Sequence, residues 1–242
     1  MGRSGSSTTD AHQRVRHEPR TVIAGGMFDP PHNGHVAMLA AASIPGDDIR
    51  IIVAGVPPHR AQPVASAQDR LDMAAAGLAH EPVLGDRMVT VSDVEIRRGR
   101  DVAYTVDTVR SLTNDMLPGR PVLVIGDEHA ATITTWHAWE DLLSIVDLAV
   151  VTRTGIVDAT SDGASNLESL LHQRGGQVWW CPMQPVTTSS TAVRELVASG
   201  DLRSAAELVP AGVLPLLPGV YGAVHEAASA VPAPNIGPAG VQ

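Results

Sequence analysis

The 242-residue sequence predicts an α/β fold, a parallel sheet with helices on both faces in a single domain. Three observations predict it. Short apolar runs rich in Val and Ile alternate along the chain with Ala- and Leu-bearing runs of helical spacing, the order of repeated strand–helix units. The run Pro121-Val122-Leu123-Val124-Ile125-Gly126 is continuously apolar, as a strand covered on both faces requires. The first run ends at Gly25-Gly26 and passes through Pro30-Pro31 into an Ala-rich stretch, which reads as strand, tight loop, helix.

Taken in order, residues 1–20 lack periodic apolar positions and are expected to form a disordered extension before a domain spanning 21–222. Thr21-Val22-Ile23-Ala24 reads as a buried strand and Val36 to Ala42 as a helix. Between them lies Gly25-Gly26-Met27-Phe28-Asp29-Pro30-Pro31-His32-Asn33-Gly34-His35. Such a loop presents backbone N–H groups and a helix N-terminus, and two glycines let an anion approach without a Cβ in the way. His32 and His35 are three apart, so both imidazoles fall on one face of the first helical turn. A phosphate site follows from these features together.

Asp48 to Gly55 is a second strand, ending in Val56-Pro57-Pro58-His59-Arg60 on the rim where strands of such sheets carry ligands. Ala67 to Ala76 reads as a scaffold helix, with Arg70 as an exception, and Met88 to Val91 as a strand. Ala103 to Leu112 has polar capping candidates and then Val106, Val109 and Leu112 on one face, so Thr105 is expected at the N-cap and Asp107 in the first turn. The strand 121–126 delivers Asp127 and Glu128 to the same rim, where either carboxylate could accept from a ligand's hydroxyls, Glu128 only by folding back.

Thr135 to Leu143 places Trp136 and Trp139 near a helix start, where a Trp face suits an aromatic base. Trp139 keeps step with Leu142 and Leu143 and reads as core. Asp147 to Arg153 is a strand, Thr154 to Ser165 a loop, and Gln177 to Pro182 the last strand. Then Thr187-Thr188-Ser189-Ser190-Thr191 precede a helix with Arg194 one turn inside, a second anion cradle of hydroxyls, dipole and guanidinium. Gly200 is expected as that helix's C′ residue, and 208–221 as a closing helix shortened by Pro215 and Pro218. Residues 223–242 read as a flexible Ala/Pro-rich tail.

Composition narrows the function. A formal charge of −9 argues against a general nucleic-acid surface but not against one anionic ligand. All 17 basic residues are Arg, so Arg is expected where other chains use Lys. One cysteine, Cys181, excludes an internal disulfide and fits a reducing compartment. With no bilayer-length apolar run and no secretory leader, a soluble cytoplasmic protein is expected, with no membrane partner. A dinucleotide-binding dehydrogenase is disfavoured because no G-x-G-x-x-G follows the first strand.

The loop 25–35 resembles the G-G-x-F-D-P-x-H-x-G-H signature of the nucleotidylyltransferase superfamily, and its F-D-P form resembles the bacterial nicotinate-nucleotide adenylyltransferase family in particular. Further segments resemble that family in order. They are Pro57-Pro58-His59-Arg60 (family P-P-H-K), Tyr104-Thr105-Val106-Asp107-Thr108, Thr135-Trp136-His137-Ala138-Trp139, Ser189-Ser190-Thr191-Ala192-Val193-Arg194 and Leu208-Val209-Pro210. Two departures stand out: Glu128 occupies the Asp position of the family's G-x-D, and Thr188 stands where Ile is usual.

The resemblance implies a Rossmann-like nucleotidylyltransferase fold and adenylyl transfer from ATP to nicotinate mononucleotide, releasing pyrophosphate. By it His32, His35 and Arg60 are catalytic. Gly25, Gly26, Met27, Phe28, Gly34, Gly126, Asp127, Glu128, Ser189, Ser190, Thr191 and Arg194 bind ATP and its phosphates. Thr105, Trp136 and His137 bind the mononucleotide, and Mg²⁺ arrives with ATP rather than in a protein metal site. A homo-oligomer is compatible with the sequence. The competing expectations are a related adenylyl- or cytidylyltransferase acting on another phosphorylated acceptor such as pantetheine phosphate, and a nucleotide-binding relative without turnover.

Overall fold

A computed structural model describes residues 19–55, 62–99, 103–114, 119–152 and 162–222. Arg60 with its Pro-Pro-His neighbours, residues 1–18 of the predicted extension, the start of the 154–165 loop and the 223–242 tail lie outside the described residues.

Six strands form one all-parallel sheet: β1 (Thr21–Gly26), β2 (Asp48–Val53), β3 (Met88–Ser92), β4 (Val122–Gly126), β5 (Asp147–Thr152) and β6 (Val178–Pro182), in the order β3-β2-β1-β4-β5-β6. All six coincide with the predicted apolar runs. The order reverses between β1 and β4, so the crevice beyond their carboxyl ends is the place a doubly wound sheet offers a ligand. The loop after β1 and Gly126-Asp127-Glu128 after β4 flank it.

Successive residues of a strand point to opposite faces, and each face has its own core. Val22, Ala24, Ile49, Ile51 and Val53 pack under α1 (Asn33–Ala42) and α2 (Ala67–Leu78). Ile23, Ile52, Leu123, Ile125, Leu148 and Val150 pack under α4 (Thr105–Asn114), α6 (Trp139–Ile145) and α7 (Asp162–His172). A third cluster joins Met73 of α2 to α8 (Ser190–Ala198), α9 (Leu202–Leu208) and the closing turns around Val213, Leu217 and Tyr221. Two short helices, α3 (Val94–Arg97) and α5 (Asp127–Ala130), follow β3 and β4 at the rim.

Three boundaries differ from the sequence expectation. Residues 162–165, assigned to a loop for their Gly and Ser content, begin α7, because Leu167 and Leu171, one turn apart, are buried against the second face. The segment 208–221 is no continuous helix: α9 ends at Leu208, a 3₁₀ turn spans Leu214–Leu216, and a π-turn spans Pro218–Gly222. Thr105 is the first helical residue of α4 rather than its cap, since the Tyr104 carbonyl accepts from Thr108 N–H at 3.1 Å.

The end of the sheet opposite the crevice is pinned by Asp47, whose side chain is wholly buried. Its carboxylate accepts from Arg20 Nη2 at 2.7 Å, Arg20 N–H at 3.1 Å and Ile44 N–H at 2.9 Å. Burial opposes its ionisation, but the Arg20 side chain and the two backbone N–H groups prevail and hold its pKa below the ordinary value near 3.8. The native pKa being lower than the unfolded one, this stabilisation is complete above that ordinary value and is lost as pH falls through the native value. Asp47→Asn is therefore expected to lower the urea midpoint at neutral pH and to flatten its fall in acid. A midpoint as acid-sensitive as the parent's would contradict this.

Candidate active site

The loop after β1 is held in an unusual backbone. Phe28 adopts φ +50°, a left-handed conformation that costs a non-glycine residue roughly 1–2 kcal/mol. Its ring is 1% exposed, and burying a Phe side chain is worth about 1.5–3 kcal/mol, enough to offset that strain. The ring lies over Gly26, where an added Cβ would meet it at 3.1 Å. Gly26 is thus occupied from within by Phe28, whereas a Cβ on Gly25 would meet nothing within 4 Å.

The two histidines form a reciprocal cap at the start of α1. His32 is the N-cap and its Nδ1 accepts from Gly34 N–H at 3.1 Å; His35, at the third helical position, accepts at Nδ1 from His32 N–H at 3.1 Å. A Cβ on Gly34 would come within 2.9 Å of the His32 ring, so this cap requires glycine there. The rings lie 3.8 Å apart by centroid, and Phe28 backs His35 at 4.9 Å. An imidazole that accepts at Nδ1 carries its proton on Nε2, so the cap assigns both rings the Nε2–H tautomer. Two neighbouring N–H donors at a helix N-terminus suit a phosphoryl group.

The second predicted cradle meets the first. Ser189 caps α8, accepting from Ala192 N–H at 3.2 Å. Ser190 Oγ donates to Pro30 O at 2.8 Å, Arg194 Nη1 donates to Asp29 O at 2.6 Å, and Arg194 Nη2 donates to Thr191 Oγ1 at 3.2 Å. Ser190 and Arg194, read from the sequence as phosphate ligands, therefore also fasten α8 to the loop after β1.

Asp29, named in the loop but given no role by the sequence, is the centre of this fastening. Its side chain is 8% exposed in a ring of donors: Val64 N–H at 2.8 Å, Ala65 N–H at 3.0 Å and Tyr221 OH at 2.8 Å, with Arg194 Nη1 3.8 Å away.

Beyond β4, Gly126 caps α5, and the Glu128 carboxylate folds back over it into the space a Cβ would take. The fold-back expected of the longer side chain is thus realised, and it requires glycine at 126. Asp127 Oδ1 accepts from Glu128 N–H at 3.0 Å. Partial burial, then the hydrogen bond and like charge of Glu128, push the Asp127 carboxyl above its ordinary pKa.

Thr105, Trp136 and His137 come together, with Ala103 and Tyr104, around a cavity of about 130 Å³. Tyr104 stacks on His137 with centroids 3.9 Å apart, and His129 meets the Trp136 ring edge-on at 5.9 Å. Trp136 follows a 3₁₀ turn, three residues before the start of α6, rather than lying in the helix; Ala138, at φ +47°, makes the break. Trp139 packs into the second-face core, as its spacing with Leu142 predicts.

Among residues the sequence reading passed over, Tyr104 lines this cavity and Tyr221 supports the loop. Arg70, singled out in the sequence as an exception on a scaffold helix but given no role there, falls in step with the buried Met73, Ala74, Gly77 and Leu78 on the apolar face of α2.

A family model described as cytidylyltransferase-like matches residues 23–196. The chain belongs to the cytidylyltransferase-like family. Among relatives of this cytidylyltransferase-like chain is a probable nicotinate-nucleotide adenylyltransferase of Pseudomonas syringae pv. tomato, 34% identical over 211 residues, 81% of this chain and 90% of the relative. Another, of Bordetella avium with the same name, is 35% identical over 196 residues, 80% of this chain and 92% of the relative. The fold is shared with the Plasmodium falciparum nicotinic acid mononucleotide adenylyltransferase complexed with NaAD, at TM-score 0.59 and 13% identity over 85% of this chain and 98% of the other. A Vibrio parahaemolyticus structure, named a putative nicotinate-nucleotide adenylyltransferase, matches at TM-score 0.55 and 15% identity, covering 84% of this chain and 96% of the other. Among the described residues no helix is long and apolar enough to cross a membrane.

Proposed function

We propose that this chain transfers the adenylyl group of MgATP to the 5′-phosphate of nicotinate mononucleotide, giving nicotinate adenine dinucleotide and pyrophosphate in NAD biosynthesis. The observation that carries the reading is the His32–His35 ring pair, centroids 3.8 Å apart, at the β1–β4 crevice, in a chain 34% and 35% identical to two relatives named probable nicotinate-nucleotide adenylyltransferases. The catalytic unit is residues 21–222, working in the cytoplasm.

An oxygen of the acceptor phosphate forms a bond to the α-phosphorus while the bond from that phosphorus to the β-bridging oxygen breaks, its electron pair leaving with pyrophosphate. The nucleophile is already an anion, so the protein supplies alignment and charge stabilisation rather than a covalent intermediate. His32 and His35 donate from Nε2 to the α-phosphate, where charge develops. Gly25, Gly26, Met27, Phe28 and Gly34 form the surface on which the phosphates rest. Ser189, Ser190, Thr191 and Arg194 hold the β- and γ-phosphates, and Arg60, outside the described residues, assists along the chain. Gly126, Asp127 and Glu128 face the ribose. Mg²⁺ enters as part of the nucleotide, neutralising phosphate charge.

Thr105, Trp136 and His137 take the pyridine end of the mononucleotide, beside Tyr104. Stacking of a base on an aromatic side chain is worth about 1–3 kcal/mol. Trp136→Ala is accordingly expected to raise KM for nicotinate mononucleotide roughly 5- to 150-fold with KM for ATP little changed. Equal rises in both would remove Trp136 from the acceptor pocket.

Pyrophosphate release measured with nicotinate mononucleotide, nicotinamide mononucleotide and phosphopantetheine tests the whole reading. Turnover is expected with the first. Preference for phosphopantetheine would point to a different acceptor, and silence with all three would leave a nucleotide-binding relative.

A further inference from the structure

A loop that binds an anion carries carbonyl oxygens as well as N–H groups, and every carbonyl facing the ligand repels it. Along residues 26–30 four of these oxygens accept from donors of the protein itself. Gly26 O accepts from Ala54 N–H at 2.9 Å, Met27 O from Arg70 Nη1 at 3.0 Å, Asp29 O from Arg194 and Pro30 O from Ser190.

Arg70 is the side chain of this set that belongs to neither predicted cradle. It is 1% exposed, on the apolar face of α2. Besides Met27 O, its Nη1 reaches Ala54 O at 2.7 Å, and Nη2 reaches Gly55 O at 3.4 Å. Its described hydrogen bonds go to backbone carbonyls of two rim segments, one after β1 and one after β2, and not to a carboxylate. Burying a guanidinium this way is costly compared with an apolar residue at the same helical position. The peptide plane states what that cost accomplishes. In the trans Met27–Phe28 peptide C=O and N–H point in opposite directions, so drawing Met27 O toward Arg70 turns Phe28 N–H away from Arg70.

We infer that Arg70 is a positioning residue for adenylyl transfer: its guanidinium withdraws the Met27, Ala54 and Gly55 carbonyls from the anion and aims the Phe28 N–H at it. The inference rests on the proposed function for the identity of that anion, the phosphate chain of ATP. Arg serves here through its planar fork, which spans carbonyls of two segments, and a lysine ammonium cannot hold the same spread of acceptors.

The test compares Arg70→Lys and Arg70→Met with Met73→Ala, a packing control on the same helix whose side chain is fully buried. Tm, kcat, both KM values and MgATP affinity by calorimetry are measured well below each Tm. A loop displaced by about an ångström costs up to roughly 100-fold, so kcat is expected to fall about 10-fold in Arg70→Lys and about 100-fold in Arg70→Met. MgATP affinity weakens in both, while KM for nicotinate mononucleotide stays within about two-fold of the parent. Met73→Ala lowers Tm but leaves kcat near the parent value. Parent-like kcat and MgATP affinity in Arg70→Met would overturn the inference, as would a kcat loss in Met73→Ala matching its Tm loss. A parent silent with every acceptor would overturn the proposed function instead, and the calorimetric comparison would still decide for or against Arg70.

Discussion

Replacing His35 by Ala is expected to lower kcat by roughly 10²–10³-fold, the loss that follows removal of one preorganised donor from a developing oxyanion. The site makes this more than a guess about a motif. The Nδ1 of His35 is committed to His32 N–H at 3.1 Å, which places its remaining proton on Nε2 and fixes the ring against His32 and Phe28. The ring needs no rearrangement in order to donate as charge builds on the transferred phosphorus. The same geometry gives His35 a second duty, since it completes the cap of α1, and losing a cap costs about 0.5–2 kcal/mol of stability. His35→Asn separates the duties, because its Oδ1 can take the place of Nδ1 while nothing replaces Nε2. Asn is expected to keep Tm close to the parent and to lose turnover as Ala does, with kcat and kcat/KM falling together as for an interaction made only in the transition state. Turnover in the Asn variant near the parent's would remove His35 from the chemistry and leave it as a helix cap.

The histidine pair is more legible in the sequence than the contacts that hold its loop. That His32 and His35 share one turn follows from their spacing, and that they stand at the mouth of a parallel sheet follows from the apolar run before them. The sheet itself was readable for a physical reason: a strand covered on both faces must be apolar at every position, and Val122–Ile125 or Leu148–Val151 have no other reading. The helix α7 was hidden because Gly163 and Ser165 weaken its local preference, and burial of Leu167 and Leu171 decides the matter from a distance. The support of the loop was hidden more deeply. Arg70 meets Met27 across 43 residues, Arg194 meets Asp29 across 165 and Tyr221 meets Asp29 across 192. No local period records such contacts, so Ser190 and Arg194 could be read as phosphate ligands but not as the struts they also are.

Asp29→Ala is expected to be the most destabilising single change at the site. The carboxylate satisfies Val64 N–H, Ala65 N–H and the buried Tyr221 hydroxyl, and its removal orphans all three. At about 1–3 kcal/mol for each buried group left without a partner, the loss comes to roughly 3–9 kcal/mol, a large share of the 5–15 kcal/mol that holds a typical domain folded. Tyr221→Phe removes one donor and leaves Asp29 Oδ1 bonded to Ala65 N–H, so about 1 kcal/mol is expected. Because the two residues share a bond, the double variant should cost less than the sum of the single ones. Alkaline pH offers an independent check. Burial, then the bond to Asp29 and its charge, push the Tyr221 phenol far above its ordinary value of 10.0, although Arg194 and Arg70 pull the other way. A folded-state pKa above the unfolded one means that this contribution is complete below the unfolded value and declines as pH rises beyond it. The parent should therefore lose stability more steeply above about pH 10 than Tyr221→Phe does, as read from urea midpoints on either side of that pH. Parallel alkaline limbs in parent and variant, or a urea midpoint for Asp29→Ala close to the parent's, would mean that the loop stands without this buried carboxylate.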